Sequence, residues 1–345
     1  MFKRPPLSNA NRLVNASLAL SLLFIAASCG SDRADVSEPV APEISDDLTE
    51  TARDPLTDTD GVSLPAVWAS DNLGKPISSI AVTGRRGAII AVSYDDGDMQ
   101  LLNFEGERIT DAADLSVEIL ADGQYGMIAG TLLSAFPGID QDGGLNAYLY
   151  GGEIAAPIAF PLDIGSAGRI EGLCSGRPLD ERDGVMRLAY WTQGAASRLQ
   201  SGRLVEVGDA LVFLADEPVE AANPITACVL EPTGAKVFTA PVTDATSLER
   251  NGRRSLITLD DAGGLTLIGE DGENTDVTVR DGLSVRVPNR ITGFAGTGDA
   301  RSGGYPGGLI VLGGAISTSE HRAVLVDPSA LTLSEFERPA VRAQE

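Results

Sequence analysis

The sequence predicts an all-β fold, a β-propeller of about six four-stranded blades, carried behind an N-terminal lipoprotein signal and a disordered tether. Three observations lead there. Short apolar or alternating runs recur along residues 61–345, among them Ala88–Val92, Met99–Phe104, Leu145–Tyr150, Arg187–Trp191, Ser255–Leu259 and Gly308–Leu312. Turn signals such as Asp95-Asp-Gly97, Asp142-Gly-Gly144 and Asp260-Asp-Ala-Gly-Gly264 separate them, and no long stretch keeps a helical period. Finally, one phrase recurs: Ile170-Glu-Gly-Leu-Cys174, Ile225-Thr-Ala-Cys228 and Ile291-Thr-Gly-Phe294 start 55 and 66 residues apart. Dense short strands argue for an all-β architecture, and a strand-opening phrase repeated at this interval argues for blades.

The first segment is residues 1–28. Lys3, Arg4 and Arg12 precede a largely apolar run, Leu13–Ala27, and Ala26-Ala27-Ser28 stand directly before Cys29. This is the pattern of a secretion signal with small residues before the cut. A Cys at the new N-terminus supplies the thiol that a diacylglycerol needs, so Cys29 is the expected lipidation site. The run is too short and interrupted for a transmembrane helix. Gly30 and Ser31 follow the Cys without an Asp, a pattern that in Gram-negative lipoproteins goes with the outer membrane. The expected location is therefore the cell envelope, lipid-anchored, facing the periplasm or the exterior.

Residues 29–60 form the tether. Ten Asp or Glu stand against Arg33 and Arg53 in 31–60, with three prolines and no aromatic residue. Such a segment buries too little apolar surface to offset its ordering entropy.

The third unit is residues 61–345. Once the three basic residues of the signal and the eight net acids of the tether are set aside, this domain holds −18 of the chain's −23. A surface this acidic excludes nucleic acid and anionic membrane surfaces as partners bound through counterion release. No second Pro-rich or charged linker divides the domain, which is expected to act as a monomer. Its small-molecule or protein ligand is left open.

In a propeller the repeated phrases would open inner strands around a central channel. The residue before each small one, Glu171, Thr226 and Thr292, would then stand at the channel mouth. At these residues the chain resembles the β-propeller phytases. Glu171-Gly-Leu-Cys174 is similar to that family's aromatic-Gly-Leu-Cys phrase. Thr226 through Ala240 is similar to its Pro-Glu-Gly-Cys phrase and the turn after it. Thr292-Gly293, with Gly307–Ser317 and Ala323–Asp327, resembles a further Glu-Gly phrase near its last blade. Pro65-Ala-Val-Trp68 and the pair Ile89–Ser93 and Met99–Gly106 resemble its first strands, so the resemblance spans residues 64–330.

The resemblance implies calcium as cofactor and inositol hexakisphosphate as substrate, with a ring of carboxylates holding the metal. The site residues depart from that pattern. Thr226 and Thr292 stand where the family has Glu, Glu171 where it has an aromatic residue, Ala240-Pro241 where it has paired Glu, Tyr94-Asp-Asp96 where it has Lys-Lys, and Leu64 where it has Asp. The reading that follows is a diverged propeller that binds or scaffolds and has lost efficient phytase activity. The alternative is a calcium-dependent 3-phytase, a phosphoric monoester hydrolase, with relocated ligands.

Other chemistry is thinly supported. The single histidine, His321, argues against a Ser-His-Asp hydrolase and a His-ligated zinc, and is expected in a loop. Asp95, Asp96 and Asp98 have a spacing that a calcium loop could use, as would Glu171 at the mouth, but the downstream Glu of an EF-hand is missing and a hairpin turn needs no metal. Gly296–Gly304 lacks a Walker lysine and reads as a loop; Arg85-Arg86 and Arg253-Arg254 read as solvated turn charges. Cys174 and Cys228 occupy equivalent points of the phrase in neighbouring blades, in an oxidising compartment, and are expected to pair as a disulfide; the alternative is two buried thiols. Replacing Cys29 by Ser is expected to abolish incorporation of labelled palmitate; unchanged labelling would show that Cys29 carries no lipid.

Overall fold

The first described strand, β1 (Val62–Ala69), belongs to the last sheet rather than the first, and this closes the fold. The computed structural model describes residues 61–84, 87–165, 168–179, 184–208, 210–250, 253–269, 272–298, 307–329 and 331. The expected signal, Cys29, the tether, Arg85-Arg86 and residues 299–304 of the glycine-rich loop lie outside them.

The fold is all-β. One sheet holds β2 (Ile77–Val82), β3 (Ile89–Tyr94), β4 (Asp98–Asn103) and β5 (Ala113–Asp114) in chain order. The next holds β6 (Val117–Leu120), β7 (Gln124–Ile128), β8 (Thr131–Asp140), β9 (Leu145–Tyr150) and β10 (Ile158–Pro161), with β7 pairing off the main path on β8. A third holds β11 (Ile170–Gly176), β12 (Met186–Thr192), β13 (Arg198–Val207), β14 (Ala210–Ala215) and the short β15 (Val219–Glu220). Two strands, β16 (Ala227–Glu231) and β17 (Gly234–Phe238), make a hairpin of their own. The last sheet has eight strands. It runs β18 (Val242–Arg250), β19 (Arg253–Asp260), β20 (Leu265–Ile268), β21 (Asn274–Arg280), then β1, then β24 (Glu320–Val326), β23 (Leu309–Ser317) and β22 (Arg290–Thr297). Its end strands β18 and β22 lie against each other, so the sheet nearly closes like a barrel.

β1 joins the halves of that sheet by pairing twice. Val62–Pro65 run parallel to Val277–Arg280, and Ala66–Ala69 run antiparallel to Val324–Val326, with a bulge at Ala66/Trp68. One strand thus satisfies both edges that the ends of the chain would otherwise leave open.

The apolar runs are continuous because both faces of the sheets are covered. Every residue of β3, Ile89 to Tyr94, is buried. The core is a series of clusters, four of which lie between consecutive sheets. One joins β2–β4 to β6–β9 through Leu101, Phe136 and Tyr148. The next joins β8–β9 to β11–β14 through Ile139, Leu188 and Phe213. A third joins β11–β13 to β16 through Trp191 and Ile225. A fourth joins β22–β24 back to β2–β4 through Val311 and Ile80. A fifth, around Ile257 and Leu312, fills the interior of the eight-stranded sheet.

The small residue of the repeated phrase has a steric cause. A Cβ on Gly293 would stand 3.0 Å from Ile80 of the neighbouring sheet, and one on Gly172 would stand 2.0 Å from the ring of Trp191. At these two positions glycine, which has no Cβ, permits the approach.

The expectation of four strands per unit fails at β16–β17. Only three residues, 239–241, separate β17 from β18, so no chain is left to add outer strands. His321 also departs from expectation, lying in β24 opposite Ala315 rather than in a loop.

A two-stranded hairpin is marginal in isolation. Here it is tied to β11 by a disulfide between Cys174 and Cys228, whose Cα atoms are 5.7 Å apart and 54 residues apart in sequence. Closing a loop of that length restricts the unfolded chain, by ~2–4 kcal/mol in proteins generally. Replacing both cysteines by Ala is expected to lower stability by about that amount and to raise amide exchange first across Ala227–Phe238. Uniform loss of protection over the whole domain would show that the bridge does not act locally.

Candidate functional site

Six strands, β2, β6, β11, β16, β18 and β22, meet around a cavity of about 710 Å³. Each is a sheet edge, and an edge facing its neighbour leaves backbone N–H and C=O groups without a ladder partner. Side chains fill that need at successive seams. Ser79 Oγ accepts from Leu120 N at 2.9 Å, and Asp122 Oδ1 accepts from Val82 N at 3.0 Å, joining β2 to β6 and the residues after it. The hydroxyl of Ser175 donates to the carbonyl of Asp122, joining β11 to the same segment. The disulfide joins β11 to β16. Thr226 donates to the carbonyl of Val242, Thr246 to that of Gly296 at 3.0 Å, and Thr292 to that of Ile77 at 2.7 Å. The circuit closes with that last bond, from β22 back to β2.

Glu171, Thr226 and Thr292 all line the cavity, each near the start of its strand. Their chemistry differs. Thr226 and Thr292 spend their hydroxyl protons on backbone carbonyls and serve as fasteners. Glu171 is exposed at the mouth.

Asp95, Asp96 and Asp98 are elsewhere, at the β3–β4 turn, and none of them lines the cavity. Lys75 occupies the turn: its ammonium group is 2.7 Å from Asp96 Oδ2, bonded to Asp98, and 5.7 Å from the Tyr94 ring centroid. Bonding to Lys75 holds the Asp96 carboxyl below its usual range, and bonding to Asp96 and Asp98 raises the Lys75 ammonium. This turn is a salt-bridged hairpin, and a calcium ion would have to displace a cation already seated. Among the described residues no three His, Cys, Asp or Glu side chains are grouped to hold a metal. Where the phytase resemblance implies metal-binding Glu, Thr226 and Thr292 bring hydroxyls that are bonded to backbone carbonyls.

Two carboxylates that sequence reasoning passed over stand at the centre. Asp122 lies just after β6 in Ala121-Asp-Gly123, which reads in sequence as an ordinary turn. Asp244 lies at the bulge of β18, where the register with β19 shifts between Val242 and Asp244. The one available signal was a lone Asp directly abutting a strand core, too common to single out. Both line the cavity. Burial pushes the Asp122 carboxyl up to about 7, against the bonds from Val82 N and Thr246. Burial does the same to Asp244, also to about 7, and the Asp122 charge adds to it, while a 2.7 Å bond from Ala245 N opposes it. Burial is the main cause at both carboxyls, and the Asp122 charge is a lesser one at Asp244.

Chemically the cavity is a polar, acceptor-rich channel. Glu171, Asp122, Asp244, Asp260 and Asp261 face it, with Arg290 as the one basic residue among the described lining. No protein-family model and no curated protein matches the chain.

The carboxyl pair sets a pH dependence whose sign follows from linkage. An acid that titrates near 3.8 when unfolded and near 7 when folded binds more protons in the folded state between those values. Its stabilising contribution is complete below ~4 and is lost as pH rises through about 7. Asp244→Asn removes the charge while keeping the acceptor for Ala245 N. It is expected to raise stability at pH 8 by on the order of 1–2 kcal/mol and leave stability at pH 4 nearly unchanged. Urea denaturation at both pH values reads this out; equal effects at both would show that Asp244 does not titrate in this window.

Proposed function

We propose that the chain is an envelope lipoprotein whose domain is a diverged, phytase-like β-propeller of about six blades, which binds a ligand or partner in its central channel and has lost efficient phytase activity. The circuit of six edge strands supports the propeller reading. The eight-stranded sheet then divides at β1 into two blades, and the β16–β17 hairpin is a blade reduced to its inner half. A lipid on Cys29 would hold the domain at the membrane, and the domain acts as a monomer.

The observation that carries the loss of phytase chemistry is the commitment of Thr226 and Thr292. At two of the positions where the family has metal-binding Glu, the side chain is a hydroxyl bonded to backbone. Among the described residues what remains facing the channel is five carboxylates and Arg290, with no grouped metal site, and such a channel repels a substrate bearing six phosphates. It suits a neutral polar or cationic ligand, which carboxylates and hydroxyls can accept hydrogen bonds from.

A second reading, a 3-phytase with relocated calcium ligands, draws on Glu171, Asp122 and Asp244 sharing one cavity. Phosphate release from inositol hexakisphosphate, measured on the full chain with and without calcium, separates the two. No calcium-dependent release above background is expected. Turnover of about one per second or faster would establish the second reading, and Glu171→Gln would then be the first variant to assay.

A further inference from the structure

Two segments far apart in sequence hold apolar side chains out in solvent. The first is the bulge of β1, where the register with β24 shifts between Ala66 and Trp68. A bulge re-aims side chains, and here two consecutive residues face outward. Val67 is 38% exposed and Trp68 52%, whereas Leu64 and Ala66 of the same strand are buried in the interior of the eight-stranded sheet. The second is the connection from β21 to β22. Asp281 Oδ1 accepts from Val287 N at 2.8 Å, and Gly282 N donates to the carbonyl of Val285 at 2.8 Å. These bonds close a turn with Leu283 and Ser284 at its apex, and Leu283 is fully exposed.

The two segments touch. A Cβ on Gly282 would stand 2.1 Å from the carbonyl oxygen of Ala66, so glycine is what lets the turn rest on β1. Val67 follows Ala66, and Leu283 follows Gly282. Behind the turn, Val285 and Val287 pack on the cluster around Ile257 and Leu312. The turn that presents Leu283 is therefore braced from below and closed by its own hydrogen bonds. Exposed apolar residues standing singly are ordinary. A Trp, a Val and a Leu on adjoining braced segments form a surface instead. Arg280, whose backbone is in register with Pro65 of β1, and Arg286 are exposed on either side of the apex.

We propose that this face docks on a phospholipid bilayer, with Val67, Trp68 and Leu283 seated at headgroup level and Arg280 and Arg286 reaching headgroup phosphates. β1 is the first strand of the domain, the one that residues 29–60 lead into. A lipid on Cys29 would therefore bring this strand to the bilayer. Trp suits an interface because its ring is amphipathic. Arginine carries fork-shaped donors matched to phosphate on a long apolar stem. The domain's charge of −18 opposes attachment by counterion release, but burial of apolar side chains does not draw on that term. The proposal rests on the lipid-anchored part of the proposed function and is independent of what the channel binds. The same connection runs on to Pro288, Asn289 and Arg290 in the cavity wall, so docking sets the orientation of the mouth toward the bilayer.

Tryptophan fluorescence of the full chain, reconstituted with vesicles of equal parts phosphatidylethanolamine and acyl-brominated phosphatidylcholine, tests it. Brominated chains quench an indole at close contact. The chain has two tryptophans, and Trp191 is only 6% exposed, so Trp68 is the reporter. Quenching relative to vesicles without bromine is expected, and Trp68→Phe should abolish it. Leu283→Asp, at a fully exposed position, is expected to weaken docking about tenfold and remove most of the quenching. Leu132→Asp, at an exposed apolar position on β8, should leave it unchanged. Co-sedimentation with vesicles but no quenching would show that the anchor holds the chain while this face stays in water, which overturns the proposal alone. Quenching in a chain that takes up no labelled palmitate would sustain the face and sink the anchor. Equal quenching of wild type and Leu283→Asp, or neither quenching nor co-sedimentation, overturns the proposal. A dimer in solution that Leu283→Asp dissolves, without quenching, would assign the face to a second copy of the chain and overturn it as well.

Discussion

The structure depends on how six sheet edges meet around a central space. A strand at a sheet edge carries backbone donors and acceptors that a twisted, splayed neighbour cannot pair as a ladder. Left unpaired away from solvent, each costs about 1–3 kcal/mol. Here hydroxyl and carboxyl side chains and one disulfide do the joining. Ser79, Ser175, Thr226, Thr246 and Thr292 each bond to backbone of a neighbouring segment, and Asp122 takes the amide of Val82. The small residues of the repeated phrase bring the edges close, as at Gly293 against Ile80. A short hydroxyl side chain can span the gap that remains, whereas a longer acid would extend past it into the channel.

One seam is held differently from the rest. The β16–β17 hairpin has no outer strands, and among the described residues no apolar cluster ties it to β18–β21. Among the described residues its attachments include the cluster around Trp191 and Ile225, the disulfide to β11, the Arg187 bond from β12 to the carbonyl of Glu231 and the Thr226 bond to β18. A covalent tie therefore stands where burial is least able to fix the chain. The same constraint places Cys174 and Cys228 on the channel wall, so the bridge shapes the cavity as well as stabilising it.

The cavity that the edges enclose is acidic among its described lining, where Glu171, Asp122, Asp244, Asp260 and Asp261 stand against Arg290. Asp122 fastens strands and lines that cavity, so its protonation links the stability of the circuit to the polarity of the space it encloses.

The all-β character and the strands were legible in the sequence because short apolar runs between Gly- and Asp-rich turns have few other outcomes. The repeated phrase located Glu171, Thr226 and Thr292 on the cavity wall, because residues at equivalent points of similar units take equivalent places. The pairing of Cys174 with Cys228 was legible because both stand at the end of the phrase, one position out of step, and Cys29 is the one other cysteine of the chain. Tertiary structure alone decided the rest. Whether a threonine presents its hydroxyl to a ligand or spends it on a carbonyl depends on the distance to the next strand, which local sequence does not encode. The β3–β4 turn holds Lys75, twenty residues upstream, only because β2 folds beside it. The reduced hairpin shows in the spacing between β17 and β18 only once both strands are known. Asp122 and Asp244 were invisible for the same reason. Each is an unremarkable residue in its own segment, and only closure of the circuit brings segments more than a hundred residues apart to one cavity.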